Sequence, residues 1–213
     1  FDGDELTAAS NNVRWNTLNE DSAKFYVYAP YNLTGGRLYG EEQGGSPQLT
    51  FTVNDIPTEQ NDLIVASWKG KTDYKQSIPL TFEHALTAVR FKVGFDCTVK
   101  SLEVIDICNS GTYTFGKGWS NITSPKDYTF SFGENGSGQS FKANAFLTDG
   151  ENTLMMIPQT LLSADAKVVL TYIEDGTEKP ITSTLKDKVW QEGKMITYTI
   201  HKTTAPTTIY FDL

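Results

Sequence analysis

The chain has 213 residues, of which 38% are hydrophobic and 21% are charged, and its formal net charge is −8 at pH 7. This composition excludes intrinsic disorder, and folding at this length buries roughly 70% of the surface that the unfolded chain exposes. The negative charge would repel the phosphate backbone of a nucleic acid, and no stretch approaches the roughly 20 apolar residues of a membrane-spanning helix. We therefore expect one large or two small globular domains that bind no nucleic acid.

Short runs rich in Val, Ile, Thr, Tyr and Phe follow one another along the chain and predict β-strands. The clearest run alternates Val89, Phe91 and Val93 with other residues, which is the period of a strand with one buried face. In chain order, the predicted strands span residues 24–29, 50–53, 62–67, 78–82, 87–95, 99–107, 112–115, 128–132, 141–147, 153–157, 167–173, 181–185, 195–201 and 208–212. Turn signals separate them at intervals of roughly 8 to 15 residues, which favours an all-β protein built from sandwiches.

The strand pattern weakens between residues 116 and 138, where glycine, serine, asparagine and proline are dense. We therefore predict two tandem β-sandwich domains of about seven strands each, over residues 1–130 and 131–213. Cys97 and Cys108 flank one predicted strand. They either form a disulfide across a hairpin or lie reduced as small buried side chains, and both alternatives stay open at this point.

No pattern in the sequence predicts catalysis. A hydrolytic triad needs a base beside a nucleophile, and the two histidines, His84 and His201, lie in strand-like segments away from any nucleophile motif. The spacing of cysteine and histidine fits no zinc site, and no glycine-rich stretch fits a nucleotide-binding loop. We therefore predict structural roles for both histidines and a protein that is not an enzyme, with no catalytic residues, no cofactor and no metal.

Three tryptophans offer an alternative function. Exposed aromatic rings can stack on sugar rings, and Trp15, Trp68 and Trp119 are the candidates for such a glycan platform. Aromatic residues of β-sandwiches also pack in the hydrophobic core, so each of the three rings belongs either to a glycan platform or to the core. The alternative prediction is a glycan-binding lipoprotein of the outer-membrane surface.

Five stretches of the sequence resemble the fimbrillin family of Bacteroidales, the subunits and tip proteins of surface pili. They are DLIVA at 62–66, PLTFEHALTAVRFKV at 79–93, SGTYTF at 110–115, LMMIPQTL at 154–161 and WQEGKMITYTI at 190–200. They occur in the order of the family and extend over most of the chain. His84 and Gln159 belong to these patterns, and we expect a buried imidazole and a buried amide there to satisfy backbone groups.

The resemblance implies a pair of transthyretin-like β-sandwiches, exported as a lipoprotein and displayed on the outer membrane as part of a fimbria. It further implies that proteolysis removes an N-terminal strand and that an extended segment of a neighbouring subunit fills the resulting groove, which is β-strand addition. The chain starts at Phe1 and has no strand-like segment before residue 24, which agrees with a processed N-terminus. The expected partners are other pilus subunits and a host or bacterial surface glycan or protein.

Residues 207–213 alternate apolar Ile209, Phe211 and Leu213 with Tyr210 and Asp212. The segment is either the last strand of its own sandwich or an assembly strand given to a neighbour. We favour the first alternative, because a hairpin followed by one strand resembles the C-terminal core of the family. A chain without a donor segment would be a tip or accessory subunit rather than a repeating shaft subunit.

Overall fold

Strands dominate the computed structural model, which describes residues 23–30, 37–39, 46–70 and 77–202. These ranges contain no α-helix, and their only helical elements are single 3-10 turns at Pro57–Glu59, Glu134–Gly136 and Gly150–Asn152. The strands are β1 (Ala23–Ala29), β2 (Arg37–Tyr39), β3 (Gln48–Thr52), β4 (Ile64–Gly70), β5 (Glu83–His84), β6 (Thr87–Val93), β7 (Cys97–Thr114), β8 (Gly118–Ser131), β9 (Gln139–Phe141), β10 (Leu154–Met156), β11 (Gln159–Thr160), β12 (Lys167–Glu174), β13 (Thr177–Thr184), β14 (Val189–Trp190) and β15 (Met195–Ile200). The predicted all-β class is confirmed.

The strands form one large sheet and three smaller ones. The large sheet has the order β13-β12-β7-β3-β2, and β8 and β9 also pair with β7. The orders of the two three-stranded sheets are β1-β4-β5 and β10-β6-β15, and β11 pairs with β14. β15 runs parallel to β6, whereas β10 runs antiparallel to it. The sheets are open, so strands such as β8 and β13 lie at an edge with one paired side among the described residues.

A long hairpin of β7 and β8 runs through the large sheet. β7 has 18 residues and β8 has 14. The turn between them includes Gly116 and Gly118 at φ angles of +77° and +81°, which side chains rarely adopt. The first part of β7 pairs with β12 and the last part pairs with β3. A single strand therefore connects two regions of the sheet.

The sequence predicts separate strands over residues 99–107 and 112–115, with a turn signal at Asn109-Ser110-Gly111 between them. This predicted turn is wrong, because β7 continues through it. Asn109 is buried, and its amide donates hydrogen bonds to the Asp55 carboxylate at 3.1 Å and the Val53 carbonyl at 3.4 Å. A Cβ atom at Gly111 would lie 3.1 Å from a ring carbon of Trp119 and 3.4 Å from Ile157. Asn109 and Gly111 therefore allow β7 to pack against its neighbours and do not form a turn.

The core forms where the apolar sides of the sheets meet. Val89, Phe91 and Val93 have no exposed surface, as the alternation of β6 predicts. Phe91 stacks on Tyr198 of the adjacent strand β15, with ring centroids 5.6 Å apart. Trp190 also belongs to the same continuous cluster of buried residues. The core thus combines residues that lie more than one hundred positions apart in the sequence.

The predicted domain boundary after residue 130 falls inside β8. β12 lies beyond that point and pairs with β7, and β15 and β10 pair with β6. Segments on the two sides of the boundary therefore share sheets. A division into two transthyretin-like sandwiches stays a prediction.

Candidate functional site

Two of the three tryptophans proposed for the glycan platform, Trp68 and Trp119, lie in the described ranges and belong to different aromatic groups. Trp119 packs edge-on against Phe51 and Tyr113, and its indole N–H donates a hydrogen bond of 2.6 Å to the carbonyl of Ala85. Trp68 lies beside Phe25 on the β1-β4-β5 sheet, with centroids 6.0 Å apart. Trp119 thereby joins the β7–β8 hairpin to the loop before β6, which is a structural role. A glycan platform made of these rings stays a prediction.

Several residues singled out in the sequence lie outside the described ranges. They are Trp15 of the proposed glycan platform and the assembly-strand residues Ile209, Phe211 and Leu213. Their roles stay predictions.

His84 does not have the buried position expected from the sequence. Its side chain is 67% exposed, and its Nδ1 pairs with the carboxylate of Asp62, which is more buried at 28%. An exposed ion pair contributes roughly 0 to 1 kcal/mol, because water competes for both groups. We therefore expect His84→Ala to lower the free energy of unfolding by less than about 1 kcal/mol.

The side-chain amide of Gln159 hydrogen-bonds backbone groups, as the sequence predicts. The side-chain N–H group donates to the carbonyl of Cys108 at 2.8 Å and to that of Ile157 at 3.0 Å. These bonds tie β11 to β7. A partly buried glutamine in the LMMIPQTL stretch thus satisfies two backbone acceptors.

Both cysteines are free, and the structure excludes a disulfide between them within one chain. Cys97 and Cys108 lie on the same continuous strand, eleven positions apart. At about 3.3 Å of rise per residue they are separated by roughly 36 Å, whereas a disulfide requires Cα atoms within about 7 Å. The alternative of two reduced, partly buried thiols is the one that the fold permits.

Two carboxylates that the sequence analysis did not connect converge on Tyr113. Glu83 lies in β5 and Glu192 in the turn before β15. The pKa of the Tyr113 phenol is raised to about 12, chiefly by burial and also by the charges of Glu192 and Glu83. Partial burial and the charge of Glu83 also raise the pKa of Glu192. The adjoining cavity, lined by Glu83 and Tyr113, has a volume of about 220 Å³. This volume is below the roughly 300 Å³ of a small-molecule site, so the cluster is better described as a contact between two carboxylates and a phenol than as a ligand-binding cleft.

In the described ranges no group of three or more His, Cys, Asp and Glu side chains is placed to hold a metal ion. The helical turns of the same ranges are too short and polar to cross a membrane.

A larger groove runs along the second half of β8, and we call it the β8 groove. Its volume is about 510 Å³. It is lined by Ile56, Pro57, Thr58, Thr129, Phe130, Ser131, Phe132, Gln139, Phe141, Phe146, Leu147, Asp149 and Asn152. Sequence reasoning missed it because these residues come from four separate segments that only the sheet topology brings together.

The backbone of β8 also faces this groove. The N–H of Phe132 donates to the carbonyl of Lys100 in β7 at 2.9 Å, and Phe130 pairs with Leu102 of β7, so the N–H of Phe132 and the backbone groups of Phe130 point towards β7. Hydrogen-bonding directions alternate along a strand. The backbone groups of Thr129 and Ser131 therefore point away from β7, on the outer side of β8, and both residues line the groove.

Comparisons with known proteins agree with this all-β architecture. A family model described as fimbrillin-like matches residues 2–211. Three crystal structures of candidate cell adhesion proteins share the fold at 12–16% sequence identity. The protein from Bacteroides uniformis has a TM-score of 0.52 and 15% identity, and the match covers 88% of this chain and 70% of that one. The protein from Bacteroides thetaiotaomicron has a TM-score of 0.51 and 12% identity, with 94% of this chain and 75% of that one covered, and the protein from Bacteroides ovatus has a TM-score of 0.54 and 16% identity, with 98% and 72% covered. A comparison with curated proteins finds no match.

The fold and the match define the class as an all-β, fimbrillin-like protein. The chain belongs to the fimbrillin-like family. The resemblance that the five sequence stretches indicated is confirmed.

Proposed function

We propose that this protein is a structural and adhesive subunit of a bacterial surface pilus and not an enzyme. Support comes from the fimbrillin-like match over residues 2–211 and from the fold shared with candidate cell adhesion proteins. In this proposal the precursor is exported, carries a lipid anchor and is processed at its N-terminus, and the mature chain lies at the outer-membrane surface. Other pilus subunits are its assembly partners.

Assembly by strand addition is supported most directly by the regularity of β1. Among the residues that the structure describes, this strand lies at one side of the β1-β4-β5 sheet, and seven consecutive residues pair with β4 in an unbroken register. It contains no proline and no residue with positive φ, whereas the edge strand β13 contains Lys179 and Pro180, which discourage a further strand. The position beside β1 is suited to an extended segment, which can come from the chain itself or from a neighbouring subunit. In the proposed assembly, the neighbour's segment replaces the chain's own segment beside β1.

A tip or accessory position follows if residues 207–213 serve the chain's own sandwich. The purified chain should then be monomeric, because residues 207–213 are occupied within the chain and are not available to a neighbour. Sedimentation velocity and denaturing gels without heating test this point. A ladder of detergent-resistant oligomers would contradict the tip role and indicate a shaft subunit.

Proline substitutions in β1 test where a neighbour's strand adds. Successive N–H groups of a strand point to opposite sides, so one of the neighbouring residues Val27 and Tyr28 donates to β4 and the other points to the outer side of β1. Of the two variants Val27→Pro and Tyr28→Pro, one therefore removes the outer donor and the other removes a hydrogen bond to β4. The outer variant should fold and be lost from pili sheared from cells. The matched control is Thr182→Pro in β13, which should still be incorporated. Equal incorporation of wild type and of both β1 variants, with melting temperatures unchanged, would rule out β1 as the acceptor.

A further inference from the structure

The β8 groove has the features of a carbohydrate site, and we propose that it binds a neutral oligosaccharide. This proposal concerns a surface other than β1 and does not depend on strand addition. The groove volume of about 510 Å³ lies within the range of roughly 300 to 1,000 Å³ that is typical of ligand sites. Such sites combine aromatic or apolar walls with a few polar groups that converge on the ligand.

Aromatic rings provide the apolar wall of the groove. Phe132 and Phe141 pack edge to face, with centroids 5.3 Å apart, and Phe141 is only partly buried. Ile56, which is 50% exposed, extends the apolar surface on the side of the Pro57–Glu59 turn. The C–H face of a pyranose ring is itself apolar, so these surfaces can bury it at little cost in desolvation.

The polar groups of the groove are unused by the fold. Side-chain amides of Gln139 and Asn152 and side-chain hydroxyls of Thr58, Thr129 and Ser131 line it, and none of them hydrogen-bonds another described residue. Amides and hydroxyls both donate and accept, as do the hydroxyls of a sugar. The outward backbone groups of Thr129 and Ser131 add further donors and acceptors on the same side.

The charges of the groove lining favour a neutral sugar over an anionic one. Its lining contains no Lys, Arg or His, and its one carboxylate, Asp149, accepts a hydrogen bond of 3.0 Å from Arg90. That hydrogen bond keeps the pKa of Asp149 low, so the carboxylate stays ionised as an acceptor for sugar hydroxyls. The nearest cations, Arg90 and Lys92, lie over the ring of Phe146 at 4.6 and 4.2 Å, and Arg90 is also bonded to Asp149. A sialylated or sulfated glycan would have to compete with these contacts for a counter-ion and would face Asp149.

The same edge offers too little backbone for a peptide strand. Beyond Ser131 the chain leaves the strand, and Gly133 adopts a φ of +79°. The N–H of Gly138 then closes on the carbonyl of Phe132 at 2.9 Å. Earlier in β8, Ser124 has positive φ and Pro125 lacks an N–H donor, so only a short stretch of ladder is available.

A glycan array tests the proposal with the full chain. The array carries neutral oligosaccharides terminated by glucose, galactose, mannose or N-acetylglucosamine, together with the sialylated and sulfated forms of the same glycans. We expect binding to at least one neutral group and weaker binding to its charged counterparts. A silent array, or binding confined to charged glycans, would overturn the proposal and leave the assembly experiments on β1 unaffected.

Substitutions in the groove then locate the site by titration calorimetry with the neutral glycan that gives the strongest array signal. Asn152→Ala and Gln139→Ala each remove an exposed amide, and each should weaken binding by about tenfold. Asn61→Ala is the matched control, because Asn61 is also exposed and lies outside the groove lining. Unchanged affinity in both groove variants, or an equal loss in Asn61→Ala, would refute the site. Displacement of the glycan by an extended peptide with higher affinity would assign the groove to a peptide instead.

Discussion

The indole N–H of Trp190 donates a hydrogen bond of 2.9 Å to the hydroxyl of Tyr198, and both side chains are buried. The bond joins β14 to β15 beneath the turn that contains Gly193. Since Tyr198 also stacks on Phe91 of β6, the pair attaches this turn to the parallel strands in the core. The WQEGKMITYTI stretch therefore encodes a specific contact in addition to a strand pattern.

Replacing Tyr198 by Phe should destabilise the protein by about 1 to 3 kcal/mol, because the indole N–H of Trp190 is left buried without an acceptor. The measurement is the free energy of unfolding in urea. Tyr172→Phe is the control: Tyr172 is also buried, but its hydroxyl makes no hydrogen bond to another described residue. A cost for Tyr198→Phe no larger than that of the control would show that the hydrogen bond does not stabilise the fold.

Gly94 should tolerate no side chain while His201 is present. A Cβ atom there would lie 2.3 Å from Nδ1 of His201, so the imidazole would have to leave its place over the backbone. We expect Gly94→Ala to cost about 1 to 3 kcal/mol. In a double-mutant cycle with His201→Ala, the cost of Gly94→Ala should fall by more than about 0.5 kcal/mol. Additive effects would show that the imidazole does not cause the cost.

Glu192→Gln should stabilise the protein at pH 7. Partial burial and the charge of Glu83 raise the pKa of Glu192 above its ordinary value of 4.5. The folded state therefore binds the proton more tightly than the unfolded state, and its stability falls as pH rises through the raised pKa. Glutamine resembles the protonated acid, so the advantage of the variant should disappear below pH 4.5. Urea unfolding across this pH range measures the effect, and an advantage independent of pH would contradict the explanation.

Glu174→Gln should change the stability at pH 7 in the opposite direction to Glu192→Gln. Hydrogen bonds from Lys179 and Lys202 lower the pKa of Glu174 to about 2, so its stabilisation is present above pH 4.5 and is lost as pH falls towards 2. The variant should be slightly less stable than the wild type at pH 7, and the difference should shrink in high salt because all three groups are solvated. A difference that persists at pH 2 would contradict this assignment.

The cysteines should behave as two slow, independent thiols. Burial raises the pKa of Cys97 to about 11 and that of Cys108 above its ordinary value, so little thiolate is present at neutral pH. We expect two titratable thiols in the unfolded chain without reductant, slow alkylation of the folded chain at pH 8, and a melting temperature unaffected by reductant. A shift of the melting temperature on reduction would indicate a disulfide and contradict the register of β7.

The sequence predicted the structural class correctly because a half-buried strand has a local signal. The alternation of Val89, Phe91 and Val93 requires only that one side of β6 meets a core, and the structure places that side there. Glycine and asparagine misled the prediction where they serve packing, as at Asn109 and Gly111 in β7. A turn residue and a residue that must be small look alike in one sequence.

Recognition of the β8 groove required the tertiary structure. Its amides, Gln139 and Asn152, lie at the ends of short segments, and nothing local marks them as neighbours of Thr129 or Ile56. The same holds for Glu83 and Glu192, which are 109 positions apart and meet at Tyr113.

The amino-acid sequence by itself determined the all-β class, the acidic surface and the fimbrillin-like motifs, because composition and a two-residue period are properties of short stretches. Only the tertiary structure decided which polar side chains converge, which edges stay open and why the two thiols lie far apart. Those features depend on strand order and register, and strand pairing between distant segments leaves no periodic trace in either segment alone.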